Sequence, residues 1–166
     1  MSKNADAITL GIGDLSINGT DAGYLAGDVI FSADIDSLDF KAGTPQQTVK
    51  RVITSFEPFL KASLAQIDAD SIHQAMGIGA VTSVTGGKKI TFGGSGSWTL
   101  SELTNVRFVH TRPNGKTVTV VFPKALAKPG SSELRFSNGS YLVQDLTVTA
   151  ISDGTSASYP YIEVQN

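Results

Sequence analysis

The stretch Asp28–Phe40, DVIFSADIDSLDF, decides the fold class. Asp28, Ile30, Ser32, Asp34 and Asp36 stand on one parity, and Val29, Phe31, Ala33 and Ile35 on the other. Successive side chains of a strand point to opposite faces. The pattern therefore predicts a strand with one apolar face and one face carrying Asp28, Asp34 and Asp36. Near Asp36-Ser37 the alternation changes phase, and Leu38 and Phe40 fall on the parity that was acidic. A bulge or a corner produces such a change.

A second long run, Gln47–Leu64, follows. Val52, Thr54, Phe56, Leu60, Ala62 and Leu64 share one parity in it. Pro58 argues for an edge position or a break. A helix opening at Pro58 is the competing reading. The alternation of Leu60, Ala62 and Leu64 with Lys61 and Ser63 favours a strand.

The rest of the chain is also strand-like, with runs rich in Thr, Val, Ile, Phe and Tyr separated by Gly, Asn, Asp and Pro. Short strands are expected at Ala7–Gly13, Leu15–Ile17, Lys88–Phe92, Ser97–Leu103, Glu133–Phe136, Tyr141–Ile151 and Tyr159–Val164. Asn18-Gly19 is a turn dipeptide. Asn114-Gly115 predicts a hairpin between Arg107–Thr111 and Thr117–Phe122. One helix is expected, Asp68–Gly77, with Asp68 or Asp70 as N-cap and Gly77 as a left-handed stop. The predicted architecture is mainly β: two packed antiparallel sheets, a β sandwich or barrel, with one short flanking α-helix near 68–77. A single domain covers 1–166.

The 166 residues suffice for one domain with a proper core. Charged residues make up 17% of the chain, below the usual figure of about 25%. So few charges hint at surface hidden by oligomerisation. The net charge is -2 and the 13 Lys and Arg are scattered, which argues against a classical nucleic-acid reader. There are no cysteines, so disulfides, thiolate metal sites and cysteine nucleophiles are excluded. The opening MSKNADAITLGIG has no apolar core of signal-peptide length, and no run approaches a membrane span. The simplest expectation is a chain made and kept in a cytoplasm.

Catalytic patterns are thin. His73 and His110 fit no metal-ligand spacing. Gly77–Lys89 resembles a phosphate loop only superficially, because Thr82 and Lys89 stand where glycine and Ser or Thr are needed. No nucleophile elbow appears. No enzyme activity, cofactor or metal is expected. The plainest reading of Asp28, Asp34 and Asp36 is a solvated sheet face. A calcium site would draw on Asp34, Asp36 and Asp39, but EF-hand spacing is missing and strand geometry splays Asp34 from Asp39.

The order of features carries a resemblance. Gly13–Leu25 reads GDLSINGTDAGYL, Gly43–Pro45 reads GTP, and Phe56–Ile67 reads FEPFLKASLAQI into the helix. Together these make the first half of the chain resemble the tail tube proteins of tailed bacteriophages. The resemblance implies a β sandwich or barrel that self-assembles into stacked hexameric rings, forming a hollow tube in the virion tail. Assembly would take place in the host bacterial cytoplasm. Implied partners are other copies of the chain, the tape measure protein, tail terminator and baseplate or tip proteins, and double-stranded DNA in transient passage, with no membrane. Asp28, Asp34 and Asp36 would then face the lumen and repel the polyanion. Lys50 would make that wall mixed in sign if it faces the same way. Subunit or ring contacts would fall on Leu38, Phe40, Thr44, Pro45, Tyr159 and Tyr161, within the loop 38–47 and the C-terminal segment 154–166. The N-terminal arm 1–7 would be a further contact. The alternative is a β-sandwich binding module for carbohydrate or protein. Its expected exposed aromatics reduce to Trp98 and Tyr159-Pro160-Tyr161.

Overall fold

The computed structural model describes residues 12–65, 68–92, 100–128, 133–135 and 143–165. The arm 1–7, Trp98 and the Gly-Ser loop at 93–97 lie outside the described residues. In chain order the elements are β1 (Ile12–Ile17), β2 (Thr20–Asp21), β3 (Ile30–Ala42), β4 (Gln47–Leu64), α1 (Ala69–Met76), β5 (Ala80–Val84) and β6 (Gly87–Thr91). There follow β7 (Glu102–Thr111), β8 (Thr117–Ala127), β9 (Leu134–Arg135), β10 (Val143–Ala150) and β11 (Tyr161–Val164).

Among the described residues the architecture is mainly β, with antiparallel sheets of nine and two strands and one α-helix. The large sheet runs β2-β1-β7-β8-β10-β4-β3, with β11 added to β8 and β9 to β10. No barrel closes among the described strands. The small sheet is the hairpin β5-β6.

Strand β8 is the pivot. Its first half pairs with β11, Tyr161 opposite Val121, and its last residues pair with β10, Val148 opposite Ala127. Pro123 stands where one partner gives way to the other. A missing N–H is tolerated there. Opposite it on β7, Asn105 takes a left-handed φ of 50°. The sheet curls at this corner, so that its two wings share a core. Leu15 and Ile17 of β1 pack in one cluster with Leu60 and Leu64 of β4, around the fully buried Phe122 of β8. Phe31 of β3 meets Phe122 edge-on at 5.9 Å, although β10 and β4 lie between their strands in the sheet.

The helix forms where its caps place it. Asp68 accepts from the backbone N–H of Asp70 and Ser71, and Ser71 closes the capping box. Gly77 ends the helix at φ 68°, donating to His73 O. Ala75 is buried, and the helix bridges the β5-β6 hairpin to the large sheet. The Asn18-Gly19 turn has positive φ at both residues, as a two-residue hairpin between β1 and β2 requires.

Three expectations need correction. The acidic strand begins at Ile30 rather than Asp28. Leu25 pairs with Leu64 and Ile30 with Lys61, so the stretch between has two residues more than its opposite and Gly27–Val29 loops out of the ladder. The expected loop 38–47 shrinks to a turn at 43–46, because hairpin pairing continues to Ala42 opposite Gln47. The hairpin β5-β6 was not anticipated beyond Lys88–Phe92, since Ala80–Val84 carries only two large apolar residues.

Candidate functional site: the projecting β3-β4 arm

Strands β3 and β4 form one long antiparallel ribbon. Near its root β4 is also paired with β10, from Leu64 to Phe59. Beyond Phe59 that pairing ends, and Pro58 marks the point where β4 becomes an edge. From there to the turn the ribbon is an arm with both strand edges open among the described strands. Every residue of β4 from Gln47 to Phe56 is exposed.

The register assigns each side chain to a face. A shift between Asp36 and Ser37 inserts Thr54 on β4, and a second between Phe40 and Lys41 inserts Val49. An irregularity does fall near Asp36-Ser37, but the extra residue is on β4, so β3 keeps its phase and Leu38 and Phe40 stay on the face of Asp34 and Asp36. On one face stand Ile35 with Phe56, Ser37 with Ile53, and Asp39 with Arg51. On the other stand Asp34 with Glu57, Asp36 with Ser55, Leu38 with Val52, and Phe40 with Lys50. The first face is apolar towards the root and charged towards the tip. The second is acidic towards the root and apolar towards the tip. Ile35, Leu38, Phe40, Ile53 and Phe56 are each at least 50% exposed, so neither face of the arm is covered.

The acidic strip is real but not purely acidic. Asp34 and Asp36 share a face, whereas Asp28 lies in the looped-out segment before β3. Lys128, just past the end of β8, places its Nζ 3.2 Å from Asp34 Oδ2 and 3.5 Å from Glu57 Oε1. The same ammonium sits 5.3 Å from the Phe59 ring centroid, and Lys61 sits 5.2 Å from it. The hydrogen bond that Lys128 donates to Asp34 leads the effects that raise the Lys128 pKa. Lys50 stands on the Asp36 face and makes no ion pair among the described residues. A surface with Asp34, Asp36 and Glu57 against Lys50, Lys61 and Lys128 is mixed in sign.

Nearer the tip, Arg51 grips Asp39 with two of its guanidinium nitrogens, Nε to Oδ1 at 2.6 Å and an Nη to Oδ2 at 3.0 Å. The hydrogen bond from Arg51 holds the Asp39 carboxyl below the usual carboxylate range. Leu38 and Phe40 lie on β3 itself, and Thr44 and Pro45 occupy the exposed turn. Tyr161 opens β11, far from the arm in sheet order, and Tyr159 precedes it; both are about half exposed. The structure thus gathers Leu38, Phe40, Thr44 and Pro45 on one arm and separates Tyr159 and Tyr161 from them. Sequence reasoning passed over Lys128, Val52, Ile53 and Phe56 as members of this surface. Alternation at Val52 and Phe56 carried a signal for the strand, but none for its lack of cover.

Among the described residues no group of three His, Asp or Glu is placed to hold a metal ion. No helix among them is long and apolar enough to cross a membrane. His73 Nε2 lies 3.1 Å from Gly79 O and ties α1 to β5.

No family model matches the chain, and no curated protein matches it. Among solved structures the chain is similar to the anti-feeding prophage cap, the cap that terminates that particle's tube, determined by cryo-electron microscopy. The TM-score is 0.55 at 11% sequence identity, over 99% of this chain and 100% of the other. At that identity the likeness is one of fold.

Proposed function

We propose that this chain is a structural subunit of a phage-tail-type tube, and that it self-assembles through the β3-β4 arm. One observation carries the proposal: the arm is a two-stranded ribbon with exposed side chains on both faces and, among the described strands, no neighbour on either edge. An isolated hairpin is marginally stable in water. An exposed apolar edge strand invites pairing with another chain. Such an arm makes sense where neighbouring copies cover it. The fold shared with a tube-terminating cap along the whole length supports this class of role.

The finer assignment rests on the sequence resemblance. It makes the chain a ring-forming tube subunit of the virion tail, in hexameric rings around a tape measure protein, later passing DNA, with no chemistry of its own. The likeness to a cap makes a terminating ring at the end of the tube an equally specific role. On either assignment the mixed charges at the arm root would keep DNA from adhering less strictly than a purely acidic wall, since each phosphate contact by Lys adds affinity.

Mass photometry and negative-stain electron microscopy over a concentration series test the proposal. Rings or hollow tubes are expected. A uniform monomer at every concentration would overturn self-assembly and leave a binding module as the better reading.

A further inference from the structure

Lys128 reaches from the end of β8 to the arm, although β10 lies between them in the sheet. Its backbone N–H donates to Thr147 O at 2.8 Å, which fixes its main chain beside β10. Its ammonium stands 3.2 Å from Asp34 Oδ2 and 3.5 Å from Glu57 Oε1. Asp34 and Glu57 are directly opposite one another, one on each strand of the ribbon. The Phe59 ring lies under the crossing, with its centroid 5.3 Å from the same ammonium. Phe59 and Glu57 share a face of β4, and Phe59 is only 8% exposed there.

These two carboxylates sit just past the place where the ribbon loses its neighbour. From Leu64 to Phe59, β4 is held between β10 and β3. From Pro58 onward it is paired with β3 alone among the described strands. Pro58 faces Ala33, and Asp34 with Glu57 is the first pair beyond them. A two-stranded ribbon twists more than a wide sheet. Beyond Pro58 the pairing therefore fixes the ribbon itself but not its inclination to the body. Lys128 spans this point, with its main chain held on the body side and its ammonium held on the arm side. Lys61 also sits over the Phe59 ring, at 5.2 Å, but it is opposite Thr147 on the body side and does not span the point.

We propose that Lys128 is a strut that sets the inclination of the arm to the body. An exposed ion pair taken alone holds weakly. Here two carboxylates and one ring converge on a single ammonium, and the carboxylates belong to different strands. A swing of the arm lengthens at least one of these contacts. Without the ammonium, Asp34 faces Glu57 as a pair of like charges directly across the ribbon, with Asp36 on the same face. Such a cross-strand pair is repulsive. The strut acts within one subunit, so it stands or falls separately from the self-assembly reading above.

Paired spin labels measure the inclination. The chain has no cysteine, so Gln47→Cys at the far end of the arm and Lys116→Cys on the body carry the only labels. Both positions are exposed. Double electron–electron resonance reads the distance between them in protein dilute enough for mass photometry to show monomers. The otherwise unchanged chain should give a single distance. Lys128→Glu should widen the distribution at least about twofold, because the new carboxylate repels both of its former partners. Adding Asp34→Lys and Glu57→Lys to Lys128→Glu exchanges the charges and should narrow the distribution again, a return that general damage to the fold would not show. Circular dichroism and melting verify that each variant is folded. If Lys128→Glu does not fold, the unchanged chain in about 1 M sodium chloride takes its place, since a screening length of about 3 Å should widen its distribution in the same way. A distribution that stays as narrow when the ammonium is reversed or screened would overturn the strut. So would a distribution that stays wide after the charges are exchanged.

Discussion

Gln144 is wholly buried on β10, opposite Leu64 and Leu134, and neither atom of its amide has a hydrogen-bond partner among the described residues. A buried polar group without a partner costs about 1–3 kcal/mol. Gln144→Leu should therefore raise the unfolding free energy by about 1 kcal/mol, read from urea denaturation. A loss of stability would show that a bound water satisfies the amide. Phe122 lies at the opposite extreme. It has no exposure and touches Phe31 across the core. Phe122→Ala should cost about 3–5 kcal/mol, enough to unfold a marginal domain. Asp153 sets a pH dependence. The Thr155 hydroxyl and backbone N–H hold its carboxyl far below the usual range, with help from Ser158 and Lys124. A depressed carboxyl stabilises the fold above its unfolded value of about 3.9 and loses that contribution as pH falls through the folded value. Wild type should exceed Asp153→Asn in melting temperature at pH 7, and the gap should narrow steadily below about pH 4. A gap independent of pH would show that charge plays no part in the Thr155 turn.

The arm is the element on which fold and function meet. Its far half contributes nothing to the buried core, so its substitutions should separate assembly from stability. Ile53→Ser with Phe56→Ser should leave the monomer's melting temperature within a few degrees of wild type, as surface changes do. The same pair should suppress rings or tubes in electron micrographs. A large drop in melting temperature would mean that the arm folds back on the body in solution. How far the sequence was legible also shows best at this scale. Period-2 alternation placed both long strands, because that signal is local in the chain; the bulge residue is Thr54 on β4, and Leu38 and Phe40 keep the phase of Asp34 and Asp36. Asn114-Gly115 fixed the β7-β8 hairpin for the same reason, with Gly115 at φ 79°. Pro123 hid the end of β8 from Pro123 to Ala127, since proline argues against a central strand unless a corner such as this one is known. The packing of Phe108 over Gly13 was beyond reading, because the two meet only through the β1-β7 pairing. Lys128 escaped notice likewise, 94 residues from its partner Asp34.

At the scale of the whole molecule, the β3-β4 arm stands apart from the strands that hold the buried core. Where a neighbouring copy covers it with a different part of its surface, the contact is heterologous: it closes into a ring or propagates as a filament, according to the rotation between copies. Burial of Leu38, Phe40, Ile53 and Phe56 is the driving force such a contact offers, and sulfate strengthens it. The charges along the arm, Asp34, Asp36 and Glu57 against Lys50, Lys61 and Lys128, are mixed in sign, so they steer approach only weakly. Raising sodium chloride from about 0.1 M to about 1 M should therefore change the growth of light scattering by less than about twofold. Replacing chloride by sulfate at equal ionic strength should raise the final plateau. A growth rate that falls several-fold with sodium chloride would show that attraction between charges, rather than apolar burial, drives the assembly.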